Sequence, residues 1–399
     1  MPLLITIRHL AINLYTNTTG TGNTAAGKDS LKDNSTGSNN SAFGENALAN
    51  NTTASNNSAF GQNALLTSTT AVNNTSVGHD SMRLTTTGNN NSAVGYDALR
   101  SNTTGTQNVA VGSQALLSAT TASNNTSVGF NSLYSNTTGA DNVAVGSQAL
   151  DANTTGAGNT ALGHEAATSN TTASGLTAIG YQAGKDNTTG TGNTALGYEA
   201  LELNTTGTNN TALGYRALDA NTTSSNNTAV GLQALSSNAA GTQNTAMGVN
   251  SGLSTSSGSS NTFMGAFAGD ANTTGSHNTG IGNHAAGAST TATGVTAIGK
   301  NAAFSNLANY TTAVGYRALE SNTSGSANVA VGLETLVSAT TAANNTAVGY
   351  QAGLSLTTGG NNVAIGYDAL DAATTSSGNV AVGSQALSGV STGNGRNTA

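Results

Sequence analysis

A chain of 399 residues is long enough for two or three globular domains, yet only 7% of it is charged, 4% is aromatic and a single residue is proline. Globular chains carry about 25% charged residues and disordered chains are rich in charge and proline, so neither class fits. The net charge of -7 offers no basic stripe for nucleic acid, and the absence of cysteine excludes disulfide staples and thiolate metal sites.

From the N-terminus, residues 1–22 read as a degenerate first coil. Met1 to Tyr15 is too short and too interrupted, by Arg8 and His9, to span a bilayer, and it lacks the basic start and cleavage site of a secretory signal. Asn17-Thr18-Thr19-Gly20 matches Asn204-Thr205-Thr206-Gly207, which puts Leu10 where a motif glycine belongs. Ile5 and Ile7 alternate like a strand that closes the end of a stack.

Residues 23–387 form the repeat. The phrase Asn-Thr-Ala-aliphatic-Gly recurs with its glycine at 27, 44, 61 and every seventeenth residue to Gly299; one step is a residue short, to Gly315, and the spacing then resumes to Gly383. A period this short and regular means a stacked array. We expect an all-β fold, a parallel β-solenoid of about 22 coils with a 17-residue period. At the strand spacing of about 4.8 Å the stack would be a rod of roughly 105 Å. The missing residue should leave a local irregularity around Asn309-Tyr310-Thr311 without ending the stack. Residues 388–399 read as an unfinished terminal coil, stopping at Arg396-Asn397-Thr398-Ala399.

Within one repeat, such as Asn193 to Asn209, the residue before the glycine is apolar and the one before that is small. Successive strand side chains point to opposite faces, so both faces of the strand are apolar. We expect the aliphatic column (Phe43, Val94, Ile179, Leu213) to fill the coil and the alanine column (Ala42, Ala110, Ala212) to meet a second subunit. The alternative is that alanine lines the interior of a very thin coil. The later pair Ala-Leu, as in Ala200-Leu201, fits a second short strand or an irregular turn better than an isolated helical turn, which is too short to hold itself. Asparagines four residues before the glycine should ladder along the axis, and the glycines should take the corners. Asn193, Gly197, Asn210, Gly214, Asn227 and Gly231 are representative of that structural ladder.

The phrase Asn362-Val363-Ala364-Ile365-Gly366-Tyr367-Asp368-Ala369, with Asn108-Val109-Ala110-Val111-Gly112, resembles the head repeat of trimeric autotransporter adhesins of the YadA type. That family's unit is shorter, the extra residues here falling in the Asn-Thr-Thr-Gly connection. The resemblance implies a left-handed parallel β-roll in a parallel homotrimer. The seventeen-residue repeat also resembles the shaft of some bacteriophage tail-fibre proteins. No heptad stretch or membrane barrel pattern of the autotransporter type occurs in the sequence, which favours the phage or free-fibre reading.

Catalysis needs convergent groups that break the repeat. His9, His79, His164, His277 and His284 are scattered and unpaired with carboxylates, and no glycine phrase carries a nucleotide-loop lysine. We expect no enzyme, no cofactor, no metal, no nucleic acid and no membrane insertion. The expected function is an elongated structural fibre, a phage tail-fibre shaft on a virion or an extracellular, cell-surface adhesin. Its partners would be further copies of itself, with a cell-surface glycan or receptor at the tip. The alternative is a filament joined end to end by coil completion; below that ranks a carbohydrate- or ice-binding solenoid, with Tyr181, Tyr198 and Tyr215 as the surface contacts. Asn102, Asn153, Asn204 and Asn272 fit the N-glycosylation pattern, although asparagine and threonine are also good turn residues.

Overall fold

The computed structural model describes residues 16–391 and 395–399. The expected closing strand at Ile5 and Ile7, and Leu10, lie outside the described residues. The fold is an all-β parallel solenoid with no helix among those residues. It divides into two units, residues 1–193 and 194–399.

The first unit carries ten three-residue strands, from Thr24–Ala26 to Thr177–Ile179. Each pairs in parallel with the next and like residues meet like: Thr24 faces Ser41, Ala25 faces Ala42 and Ala26 faces Phe43. The second unit repeats the arrangement in twelve strands, from Thr194–Leu196 to Val380–Val382. The strand is short because the glycine that follows takes φ between 129° and 144°, outside the range of L residues.

The two strand faces are the reverse of the first expectation. Alanine is inside: Ala42, Ala110 and Ala212 are fully buried, whereas Phe43, Val94 and Leu213 in the aliphatic column are about two-fifths exposed. The reason is thickness. Opposite the strand column stands the buried turn-run pair, most often alanine and leucine as in Ala47 and Leu48, and a coil that admits leucine from one side has room only for a small side chain from the other. The thin-coil alternative is the one the chain adopts.

The Ala-Leu segment is a run of turns. Ala47 N–H bonds Gly44 O (3.3 Å), Ala49 N–H bonds Asn46 O (3.3 Å) and Asn51 N–H bonds Leu48 O (3.1 Å). Asn46 and Leu48 take φ of 60° and 52°, the positive value a type II turn needs at its third position. A left-handed leucine costs roughly 1–2 kcal/mol. It is offset by complete burial of the side chain and by the bond of Leu48 N–H to Ala64 O of the next coil (3.0 Å).

Two asparagine ladders complete the interior. In the first, Asn91 Oδ1 accepts from Asn108 N–H (2.9 Å) while its Nδ2 donates to Gly105 O (2.9 Å). The amide thus ties side chain to backbone of the next coil rather than only amide to amide. Asn210 and Asn227 do the same, their Oδ1 atoms accepting from Asn227 and Asn244 N–H at 3.0 Å. In the second ladder the amides bond each other, Asn153 to Asn136 at 2.9 Å and Asn221 to Asn204 at 2.8 Å. Asn91 is fully buried, so Asn91→Ala should strand a donor and an acceptor and lower stability by about 2–4 kcal/mol, read from urea melts. A loss below about 0.5 kcal/mol would mean the ladder is not a stabilising element.

The short step between Gly299 and Gly315 leaves the strands in register: Thr296 faces Thr312 and Ile298 faces Val314. The missing residue comes out of the corner. Asn306 Nδ2 reaches Ala308 O two residues on (2.7 Å), where Asn204 reaches Gly207 O three residues on (3.0 Å). Tyr310, with φ of 56° and 71% exposure, marks the irregularity. At the C-terminal end Thr398 bridges Val380, and Val380 N–H bonds Asn397 O at 2.8 Å.

Candidate functional site

The surface feature that the solenoid builds at every rung is the outward strand face. Its first column is threonine, serine or valine, its third is the aliphatic column, and the residue after the glycine flanks it. In the first unit the third column presents Phe43, Phe60, Val94, Val111 and Leu162 to solvent; in the second it presents Leu196, Leu213, Met247, Ile281, Ile298 and Ile365. Neither strand column holds a charged residue in any of the twenty-two strands. Most charges sit in the turn run and its flanks, where neighbouring coils pair several of them: Lys28 with Glu45 (3.4 Å), Arg216 with Glu199 (2.8 Å) and Arg317 with Glu334 (2.8 Å); Asp141 is an exception, in the corner before the strand Val143–Val145.

The flanking column holds aromatics that stack along the axis. Tyr198 and Tyr215 lie 5.3 Å apart and 11° from parallel, and Tyr350 and Tyr367 lie 5.2 Å apart and 9° from parallel. In the first unit Tyr181 stacks on His164 and Tyr96 on His79. Tyr181, Tyr198 and Tyr215 are each exposed by two-fifths or more. A sugar platform needs a free ring face, but Tyr198 and Tyr215 turn their facing surfaces to each other.

The sequon asparagines occupy a different place from the one glycosylation requires. Asn102, Asn153, Asn204 and Asn272 are at most 1% exposed, and their Nδ2 atoms donate to Gly105, Gly156, Gly207 and Gly275 O at 3.0–3.1 Å. A glycan on that nitrogen has no room in the folded coil, so the turn-and-ladder reading of these residues replaces the acceptor reading. Asn193 donates to Gly190 O (3.2 Å) and to Asn187 Oδ1 (3.2 Å). Gly197, Gly214 and Gly231 are corners with φ of 138°, 137° and 132°.

Among the described residues no group of three or more His, Asp or Glu could hold a metal ion. His284 stacks on Phe267 at 4.9 Å, and His277 takes a left-handed corner with φ of 59°; His9 lies outside the described residues. The Asp219 carboxyl is pushed up to about 6 by burial, against the opposing pull of Arg216 3.5 Å away. Arg216 also bonds Glu199 in the adjoining coil, so Asp219 belongs to an ion network on the turn side. No described helix is long and apolar enough to cross a membrane.

The strand face was half legible in sequence. The apolar column was plain, but its direction was not, because hydrophobicity ranks leucine and phenylalanine above alanine for burial and the thinness of the coil reverses the order. One signal carried the direction: Phe263 stands in the alanine column where the leucine column reads Gly252 and Gly269. Such compensation places the two columns face to face inside. No protein-family model matches this chain, and neither does any curated protein.

Proposed function

We propose that this chain is a non-enzymatic structural fibre element, assembled as a homotrimer, that serves as the shaft of a phage tail fibre or of an extracellular adhesin. The observation that carries the reading is uniformity. Within each unit every described strand pairs in parallel register with its neighbours and carries an uncharged outward face, so successive coils extend a scaffold rather than shape a cleft. Stability is then shared among neighbours, as in other solenoids, and no single coil is a domain. The likeness of the Asn-Val-Ala-Ile-Gly phrase to adhesin heads and of the period to tail-fibre shafts supports an extracellular or virion setting.

Electron microscopy with light scattering tests it. Discrete fibres of one length, at three times the 38.9 kDa chain mass, are expected. Fibres of indefinite length would favour the end-to-end filament. Compact particles at the mass of one chain would overturn the reading.

A further inference from the structure

We propose that the stacked pairs Tyr350–Tyr367 and Tyr198–Tyr215 are oxidation sites, where a one-electron oxidant of the peroxidase class, supplied with hydrogen peroxide, joins neighbouring coils through a dityrosine bond. The proposal goes beyond the fibre reading and does not depend on it. Both partners of each pair belong to one chain and lie within its second unit.

The repeat places the rings. Tyr350 and Tyr367 follow the corner glycines Gly349 and Gly366, and the strands before those glycines are paired in register, Val348 facing Ile365. Equivalent side chains on paired strands stand one rung apart, about 4.8 Å. The two rings accordingly meet with centroids 5.2 Å apart and planes 9° from parallel. Tyr198 and Tyr215 repeat this geometry after Leu196 and Leu213, at 5.3 Å and 11°. The column is otherwise mixed: Leu333 precedes Tyr350, Ser384 follows Tyr367 and Leu232 follows Tyr215. A radical formed on Tyr350 or Tyr367 thus has a single phenol beside it in the column.

The chemistry balances with the named oxidant. All four rings are between two-fifths and about one-half exposed, so an oxidant can reach them and the rings can tilt out of the stack. Each phenol gives up one electron and its hydroxyl proton, and the unpaired spin spreads to the Cε carbons beside the oxygen. Two such radicals couple Cε to Cε, and the hydrogens on the joined carbons then move through solvent to the oxygens, restoring both phenols. The two electrons and two protons released convert one hydrogen peroxide to two waters. At Tyr367 the charge of the adjoining Asp368 carboxylate holds the phenol above its ordinary value, and the same carboxylate stands ready to take the proton as the electron leaves. Prior placement of the second ring makes coupling effectively unimolecular, which favours it over encounters between molecules. The bond ties positions seventeen residues apart, removing loop-closure entropy from the unfolded chain and holding two coils together.

The sequence supplies its own control. Tyr310 and Tyr316 are exposed and only six positions apart, but they lie at opposite ends of the strand Thr312–Val314. The full chain would be treated with a peroxidase and limiting hydrogen peroxide, then unfolded and cut with trypsin. Cleavage after Lys185, Arg216, Lys300, Arg317 and Arg396 yields peptide 186–216 with Tyr198 and Tyr215, peptide 318–396 with Tyr350 and Tyr367, and peptide 301–317 with Tyr310 and Tyr316. Mass spectrometry should find the loss of two hydrogens, with dityrosine fluorescence, at least tenfold more in the first two peptides than in the third. Tyr367→Phe keeps a stacked ring and should abolish the link in peptide 318–396 while leaving that in 186–216. Equal yield in the three peptides, or links found only between separate chains, would overturn the proposal. So would the same preference when the chain is oxidised in unfolding urea, since the stack would then play no part.

Discussion

Gly214→Ala is expected to cost more than about 4 kcal/mol, the range reserved for mutations with a specific structural cause. A Cβ at that position would collide with the carbonyl oxygen of Gly231 and sit 2.7 Å from its carbon. It would also strain a backbone held at φ of 137°, by roughly 1–3 kcal/mol. The obstacle is the main chain of the next coil, which no side-chain rotation can move aside. Relief means lifting one coil from its neighbour and weakening the bond from Gly231 N–H to Leu213 O, now 2.8 Å. Hydrogen exchange should accelerate first in the coils on either side, because each coil depends on its neighbours. Gly158 supplies the contrast. Its φ is 66° and no atom lies within 4 Å of its Cβ position, and Asn39, Asn56 and Asn90 fill the same corner in other coils. Gly158→Asn should therefore be neutral or stabilise by about 0.5 kcal/mol. Equal tolerance of the two substitutions would refute close approach as the reason for the periodic glycine.

Phe263→Ala should destabilise by about 3–5 kcal/mol, the usual cost of emptying a buried aromatic site. The ring occupies the thin interior only because three neighbours have given way. A Cβ on Gly269 would lie 2.6 Å from Phe263 Cζ, one on Gly252 3.1 Å from Cδ2 and one on Gly280 3.1 Å from Cδ1. Gly269→Leu restores the leucine seen at Leu218, Leu235 and Leu319 but drives it into the ring, so alone it too should be severely destabilising. Together the two changes recreate the ordinary coil. Their combined cost should fall short of the sum of the single costs by at least about 2 kcal/mol. Thermal melts of the four proteins measure that coupling, and additive losses would mean that the two columns do not face each other.

Much of this architecture could be read from residues alone, and the failures share one physical origin. The period, the strand before the glycine, the glycine corner and the asparagine ladder are local or strictly repeated, and periodicity reports them directly. The corner that absorbs the short step at Asn309-Tyr310-Thr311 was legible for the same reason. Which strand face is buried depends on the distance to the far side of the coil, a quantity set by Leu48 and its equivalents taking a left-handed conformation that leucine's intrinsic preferences disfavour. Without that turn run the interior appears wide enough for phenylalanine. The sequon asparagines were ambiguous because the same side chain serves a turn and an acceptor motif, and only its direction, into the coil, separates them. For the candidate surface, the columns were identifiable and the side from which a partner could approach was not.

The register that survives a missing residue between Gly299 and Gly315 bears on how such a chain changes over generations. Because Thr296 meets Thr312 as Thr24 meets Ser41, loss or gain of a whole seventeen-codon module would join two coils that already fit. Fractional errors can be taken up in the corner. Each whole module gained or lost would add or remove one rung, about 4.8 Å of stacking, without breaking the register of its neighbours.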